Sequence, residues 1–184
     1  MIPTKTIKEI ESPHNPLFKK FEDIAKGKGK KDGLVFVEGA DLVAEARKAG
    51  ALETALAVDP LLLPRDVPGV IVAERLYERL ASFKSPAKLM GIARLAMTTE
   101  PGAKCIYLDG VQDPGNAGTL IRTALAFGYS SVFFSPDSAS PYNPKTIQAS
   151  KGAIFLMPIG QLPLEKLGEQ GRHLYLTALK GQDE

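Results

Sequence analysis

The chain has 184 residues, 44% of them apolar and 24% charged, with a formal net charge of +2. That length buries a core in one large domain or two small ones, and no apolar run or leader pattern marks a membrane span or a signal peptide. The single cysteine, Cys105, excludes an internal disulfide, and two distant histidines, His14 and His173, argue against zinc or any other metal centre; both features fit a reducing cytoplasm.

In chain order, Ser12, Asn15 and Pro16 open a helix whose Leu17, Phe21 and Ile24 share one face, and glycines 27, 29 and 33 end it. "LVFVEG" (34–39) reads as a strand. "DLVAEARKAG" (41–50) reads as a helix capped by Asp41 and stopped by Gly50. "LETALAV" (52–58) is a strand, "DPLLLPRDVPG" (59–69) a loop, "VIVAE" (70–74) a strand, "RLYERLASF" (75–83) a helix and "KLMGIARLA" (88–96) a strand. Residues 1–96 therefore form a small α/β sandwich, and "MTTEPGA" (97–103) reads as a linker. From residue 104 the pattern alternates strictly. "KCIYLDG", "SSVFFSP", "IFLMPIG" and "HLYLTAL" read as strands, separated by helices in "GTLIRTALAFG", "NPKTIQASKGA" and "PLEKLGEQG". Such alternation implies a parallel sheet covered on both faces. Four strands make a small domain of this kind, so the sequence reads as a piece of a longer protein. Cys105, in the first of these strands, reads as a buried structural residue.

The basic residues are uneven. Residues 1–31 hold eight lysines against four acids, densest in "KKFEDIAKGKGKK". Lys19, Lys20, Lys28, Lys30 and Lys31 are either a solvated helix end or a phosphate-contacting patch, and charge alone does not separate the two.

Asp109 ends the strand before the turn "LDGVQDPGNAGTLIRTALAFG" (108–128). Its glycines, at 110, 115 and 118, fit neither G-x-G-x-x-G nor a Walker A loop, because Asn116 and Ala117 stand where the latter needs Lys and a hydroxyl. Asn116 is placed to cap the following helix or brace the loop through its amide. Arg122 falls about one turn into that helix, where the local field favours an anion and a guanidinium grips phosphate in two places. An ordinary exposed arginine is the competing reading.

The run from Asp109 to Arg122 resembles the first signature motif of the SpoU (TrmH-like) RNA ribose 2'-O-methyltransferases of the SPOUT class. "NPKTIQASKGAIFLMPI" resembles the next helix and strand of that family. "IESPHNPLFKKF" and "LVFVEG" resemble its appended substrate-binding domain, which has a fold like ribosomal protein L30e. The resemblance implies residues 1–96 as an RNA substrate-binding domain and 104–184 as the N-terminal part of a SPOUT (α/β knot) catalytic domain. It implies methyl transfer from S-adenosylmethionine to a ribose 2'-hydroxyl of rRNA or tRNA, with Asn116 and Arg122 in the active site. Ser150 and Lys151 would line the RNA side. Glu38, in "VEG", matches a family position and reads as a structural carboxylate. The family's Gly-Asn-Glu-Gly-like turn and Ser-Leu-Asn segment, which form the knot, are missing. Thr177, Ala178 and Leu179 are then what is left to wall the cofactor. The family homodimer loses much of its interface, so a poorly active monomer or weak dimer is expected. Two other readings stand beside this one: a non-catalytic RNA-binding protein, and a nucleotide-binding α/β enzyme that uses no RNA.

Overall fold

Alternation along one strand explains how two layers meet. In the computed structural model, which describes residues 7–81, 87–168, 175 and 177, strand β2 (Leu34–Glu38) is buried along its whole length. Leu34 and Phe36 point to one core, and Val35 and Val37 to another, as a side-chain period of two requires. Strands β1 (Lys8–Ile10), β3 (Leu52–Ala57), β4 (Gly69–Val72) and β5 (Leu89–Arg94) complete a mixed sheet in the order β1-β4-β3-β5-β2. The short β1, not expected from the sequence, pairs parallel to β4.

One face of this sheet is covered by α1 (Pro16–Ala25) and α3 (Glu74–Leu80) through Phe18, Phe21, Ile24, Leu76, Tyr77 and Leu80. Asn15 caps α1 by accepting from the Leu17 amide at 2.9 Å, as its place before Pro16 predicts. The lysine-rich stretch after α1 is a 3-10 helix, Lys28–Asp32, bounded by left-handed Gly27 and Gly33. The other face carries α2 (Ala40–Lys48), which is capped by Gly39 and not by Asp41. Asp41 lies inside the first turn, where a carboxylate still complements the helix dipole.

The second sheet is parallel, in the order β6 (Cys105–Leu108), β7 (Ser131–Phe134), β8 (Ile159–Gln161). Helix α4 (Pro114–Ala126) packs on it, α5 (Pro144–Ser150) lies between α4 and β2 of the first sheet, and α6 (Leu164–Gly168) follows β8. Cys105 is half-buried, at an edge of the described sheet, and not enclosed. The stretch read as a strand at 154–160 divides. Ala153–Phe155 form a buried 3-10 turn after Lys151 and Gly152, both at positive φ, and only Ile159–Gln161 pair. A short apolar run has no period that separates these two fates. The last expected strand, 173–179, lies outside the described residues except for Tyr175 and Thr177, both exposed.

The two sheets share a core. Val35, Val37, Leu42, Val43 and Ala46 pack in one cluster with Ala117, Ile121, Ala124, Ile147, Ile154 and Phe155. The chain passes between them along β8: Ile159 donates to Ala96 O at 3.2 Å and Thr98 donates to Ile159 O at 2.8 Å. Burying each of these larger aliphatic side chains is worth about 1.5–3 kcal/mol. The second sheet is thereby held against the first by packing as well as by covalent connection.

Candidate active site

The loop 109–113 leaves the carboxyl end of β6, the position where open parallel sheets present their ligands. Gly110 turns it, at φ 61°. Asp113 then caps α4: its carboxylate accepts from the Asn116 amide at 2.8 Å, with Pro114 at the first helical position. The cap is therefore Asp113, and Asn116 is the capped residue, its side chain exposed on the first turn. The helix begins four residues earlier than the glycines suggest. Arg122 is thus its ninth residue, exposed and more than two turns in. The field of a helix terminus fades within the first turn, so it adds little at Arg122. Six residues of helix separate Asn116 from Arg122 by about 9 Å along the axis and about 120° around it. Both sit on the exposed arc opposite buried Ala117, Ile121 and Ala124.

Two glycines of the motif make room for α5. A Cβ on Gly118 would lie 2.4 Å from Thr146 O and 2.9 Å from the Ser150 amide. A Cβ on Gly115 would lie 3.3 Å from Lys145 Cε. Lys145, absent from the sequence reading, crosses here to place Nζ 3.1 Å from Asp113 Oδ2. The Asn116 amide, and after it Lys145, hold the Asp113 carboxyl below the usual aspartate range. A carboxyl lowered by folding stabilises the fold above its unfolded value of about 3.9, and that contribution is lost as pH falls through the folded value. An NMR titration of Asp113 should show a midpoint below that of ordinary aspartates. Lys145→Met should raise the midpoint only in part, because the backbone bond stays. An ordinary midpoint in the unsubstituted protein would contradict this cap.

The other expected site residues separate. Lys19, Lys20, Lys28, Lys30 and Lys31 are exposed. Lys20 and Lys28 pair with Asp32 and Asp23, and Lys30 Nζ reaches Gln161 Oε1 at 2.9 Å. The lysine-rich turn thus lies at the carboxyl end of β8, beside the parallel sheet. Ser150 is fully buried and donates to Ile147 O at 2.7 Å, so it faces the core and not an RNA chain. Lys151 borders a cleft of about 220 Å³ shared with Glu38, Asp41, Glu45 and Gln148, apart from the lysine cluster. Glu38 is buried; burial first, and then the Glu38 carboxylate, raises the Tyr77 hydroxyl above its ordinary value.

At the strand ends, burial first and then Asp109, Glu165 and Asp137 push the Tyr107 hydroxyl above its ordinary value. Of the residues expected to wall a methyl donor, Thr177 is exposed, and Ala178 and Leu179 lie outside the described residues.

Residues 103–183 match the SpoU rRNA methylase family. The chain is 30% identical over 185 residues to the 23S rRNA (guanosine(2553)-2'-O)-methyltransferase RlmP of Bacillus subtilis, covering 95% of this chain and 75% of that protein. It belongs to the SpoU family. An rRNA methyltransferase of Sinorhizobium meliloti has the same fold, with a TM-score of 0.75 at 25% identity over 90% of this chain and 69% of its own. That fold is also known in an AdoMet-bound form. A TrmH-family protein of Porphyromonas gingivalis described as a putative RNA methyltransferase gives 0.72 at 28% identity, over 88% and 69%. The SpoU match takes in Asn116, Arg122, Lys145 and the loops that hold them. Among the described residues no helix is long and apolar enough to cross a membrane.

Proposed function

We propose that the chain is an RNA methyltransferase that transfers a methyl group from S-adenosylmethionine to a ribose 2'-hydroxyl of rRNA or tRNA. The observation that carries this is 30% identity, over 95% of the chain, with a 2'-O-methyltransferase. Asn116 and Arg122, on one exposed arc of α4, would act on the RNA. The bound donor supplies an activated methyl group on a sulfonium sulfur. The protein's task is to hold a weak nucleophile in place. Arg122 grips a phosphate beside the target ribose with its planar fork. It does not take the 2'-hydroxyl proton, because a guanidinium stays protonated; a phosphate oxygen or water accepts that proton. Asn116 fixes the nucleotide at the loop end of the same surface.

Residues 1–96 are the L30e-like substrate-binding unit in this proposal and 104–184 the catalytic unit, joined by 97–103. The exposed lysines support it, since Lys30 stands at the end of β8, where RNA leaving the site would pass. The reading includes a cytoplasmic protein that is a monomer or a weak dimer; the exposed Phe127 and Tyr129 just after α4 are apolar surface that a second copy would cover.

Incubation with methyl-tritiated S-adenosylmethionine and rRNA or tRNA, followed by nucleoside mass spectrometry, should yield 2'-O-methylated nucleosides. Salt-sensitive RNA binding without methyl transfer would favour the non-catalytic reading. Methylation on a base would overturn the assignment.

A further inference from the structure

Two loops of the catalytic sheet are tied by buried hydroxyls that no role has so far absorbed. Ser135 and Ser138, 2% and 8% exposed, follow β7. Ser135 Oγ accepts from the Gly110 amide at 3.0 Å and donates to Asp137 Oδ1 at 2.6 Å. Ser138 Oγ accepts from the Val111 amide at 2.9 Å. Its proton has two acceptors: Leu108 O at 2.8 Å and Ser135 Oγ at 2.9 Å. Leu108 O already accepts from the Ser135 amide at 2.9 Å. With either acceptor both hydroxyl protons are satisfied, since Leu108 O can accept twice and Ser135 donates onward to the exposed Asp137 carboxylate, the charged end of the network. The Ala139 amide adds a bond to Val111 O at 2.9 Å.

We infer that Ser135, Asp137 and Ser138 form a positioning clamp that sets the catalytic loop. The clamp fixes the two amides, Gly110 and Val111, just before Asp113, which in turn seats Asn116 and binds Lys145. The β7–α5 loop is thus the jig on which the first turn of α4 is placed, and its three residues act on the reaction only through that loop. The inference rests on the methyltransferase reading for its catalytic consequence, and its structural part stands alone.

Both parts are measured on the full chain. In Ser135→Ala and Ser138→Ala, hydrogen exchange at Gly110 and Val111 should accelerate at least tenfold, while the β7 amides Val132 and Phe133 keep their protection. Asp137→Ala should accelerate the same two amides. Asp137→Asn, which retains an acceptor oxygen, should stay within threefold of the unsubstituted protein. In the methyl-transfer assay kcat should fall at least tenfold in the serine variants, with KM for RNA within threefold, because the first turn that carries Asn116 is displaced while Arg122, two turns on, and the lysine-rich turn stay in place. Unchanged exchange at both amides overturns the clamp, as does acceleration shared equally with β7. Unchanged kcat with the amides released overturns its catalytic role. If the unsubstituted protein transfers no methyl group, the proposed function fails, and the exchange data still decide the clamp.

Discussion

Replacing Arg122 with alanine should lower methyl transfer by about 10²–10³-fold, comparable to removing one charge-stabilising group from an active site, and leave the melting temperature unchanged. The two halves of this expectation have separate causes. Arg122 is exposed on α4, and among the described residues no ion pair is formed by it. Its truncation should therefore cost no more than about 0.5 kcal/mol of stability. Its position as the ninth helical residue sharpens the catalytic half. Were it in the first turn, amides and dipole would hold part of the phosphate in its absence. Two turns in, the guanidinium supplies that attraction itself. Arg122→Lys keeps the charge and loses the fork, so it should recover only part of the rate. Parallel measurements of transfer rate and thermal unfolding check both halves; full activity in Arg122→Ala would remove Arg122 from the site.

Features set by local chemistry were legible in the sequence. Asn15-Pro16 and Asn143-Pro144 start helices as their spacing predicts, since a cap and its amide are two residues apart. The motif loop was legible as a candidate site because its glycines and polar residues crowd one short stretch. What could not be read is how distant segments share work. Asp113 and Asn116 both suit a cap; the choice falls to Asp113, which also meets Lys145 from 32 residues away. "SPDSAS" looks like polar turn filler until Ser135 and Ser138 receive amides from a loop more than 20 residues upstream. The lysine-rich turn was ambiguous for the same reason: its nearness to the parallel sheet rests on a contact 131 residues apart, Lys30 to Gln161. Ser150 failed in the opposite direction. It follows Ala149 on α5 and looks accessible by type, yet the crossing with α4 buries it.

That crossing yields the largest expected effect on stability, at Gly118. In an isolated helix, Gly→Ala stabilises by about 1 kcal/mol. Here the added methyl would sit 2.4 Å from Thr146 O, 2.7 Å from Ala149 Cβ and 2.9 Å from the Ser150 amide. Two of these are backbone atoms of α5, which cannot rotate aside as a side-chain tip can. The helices must separate, and strain of this kind costs about 1–3 kcal/mol. For a chain of this size that lowers the melting temperature by about 2–12 °C, with Gly118→Val lower still. Gly115→Ala is the matched comparison. Its Cβ meets Asp113 Oδ1 at 2.9 Å and Lys145 Cε at 3.3 Å, both parts of exposed side chains that can move. It should melt within about 2 °C of the unsubstituted protein, the propensity gain of about 1 kcal/mol offsetting a weakened cap bond from Asn116 to Asp113 Oδ1, worth about 1 kcal/mol, and the exposed ion pair. Equal melting of the two variants would show that α4 and α5 are not in close backbone contact. Unequal melting in the expected order assigns the two motif glycines different work: Gly118 lets the helices meet, and Gly115 lets Lys145 lie across the cap. Separating the helices also moves Lys145 away from Asp113, so Gly118→Ala should lose methyl transfer at temperatures well below its melting point.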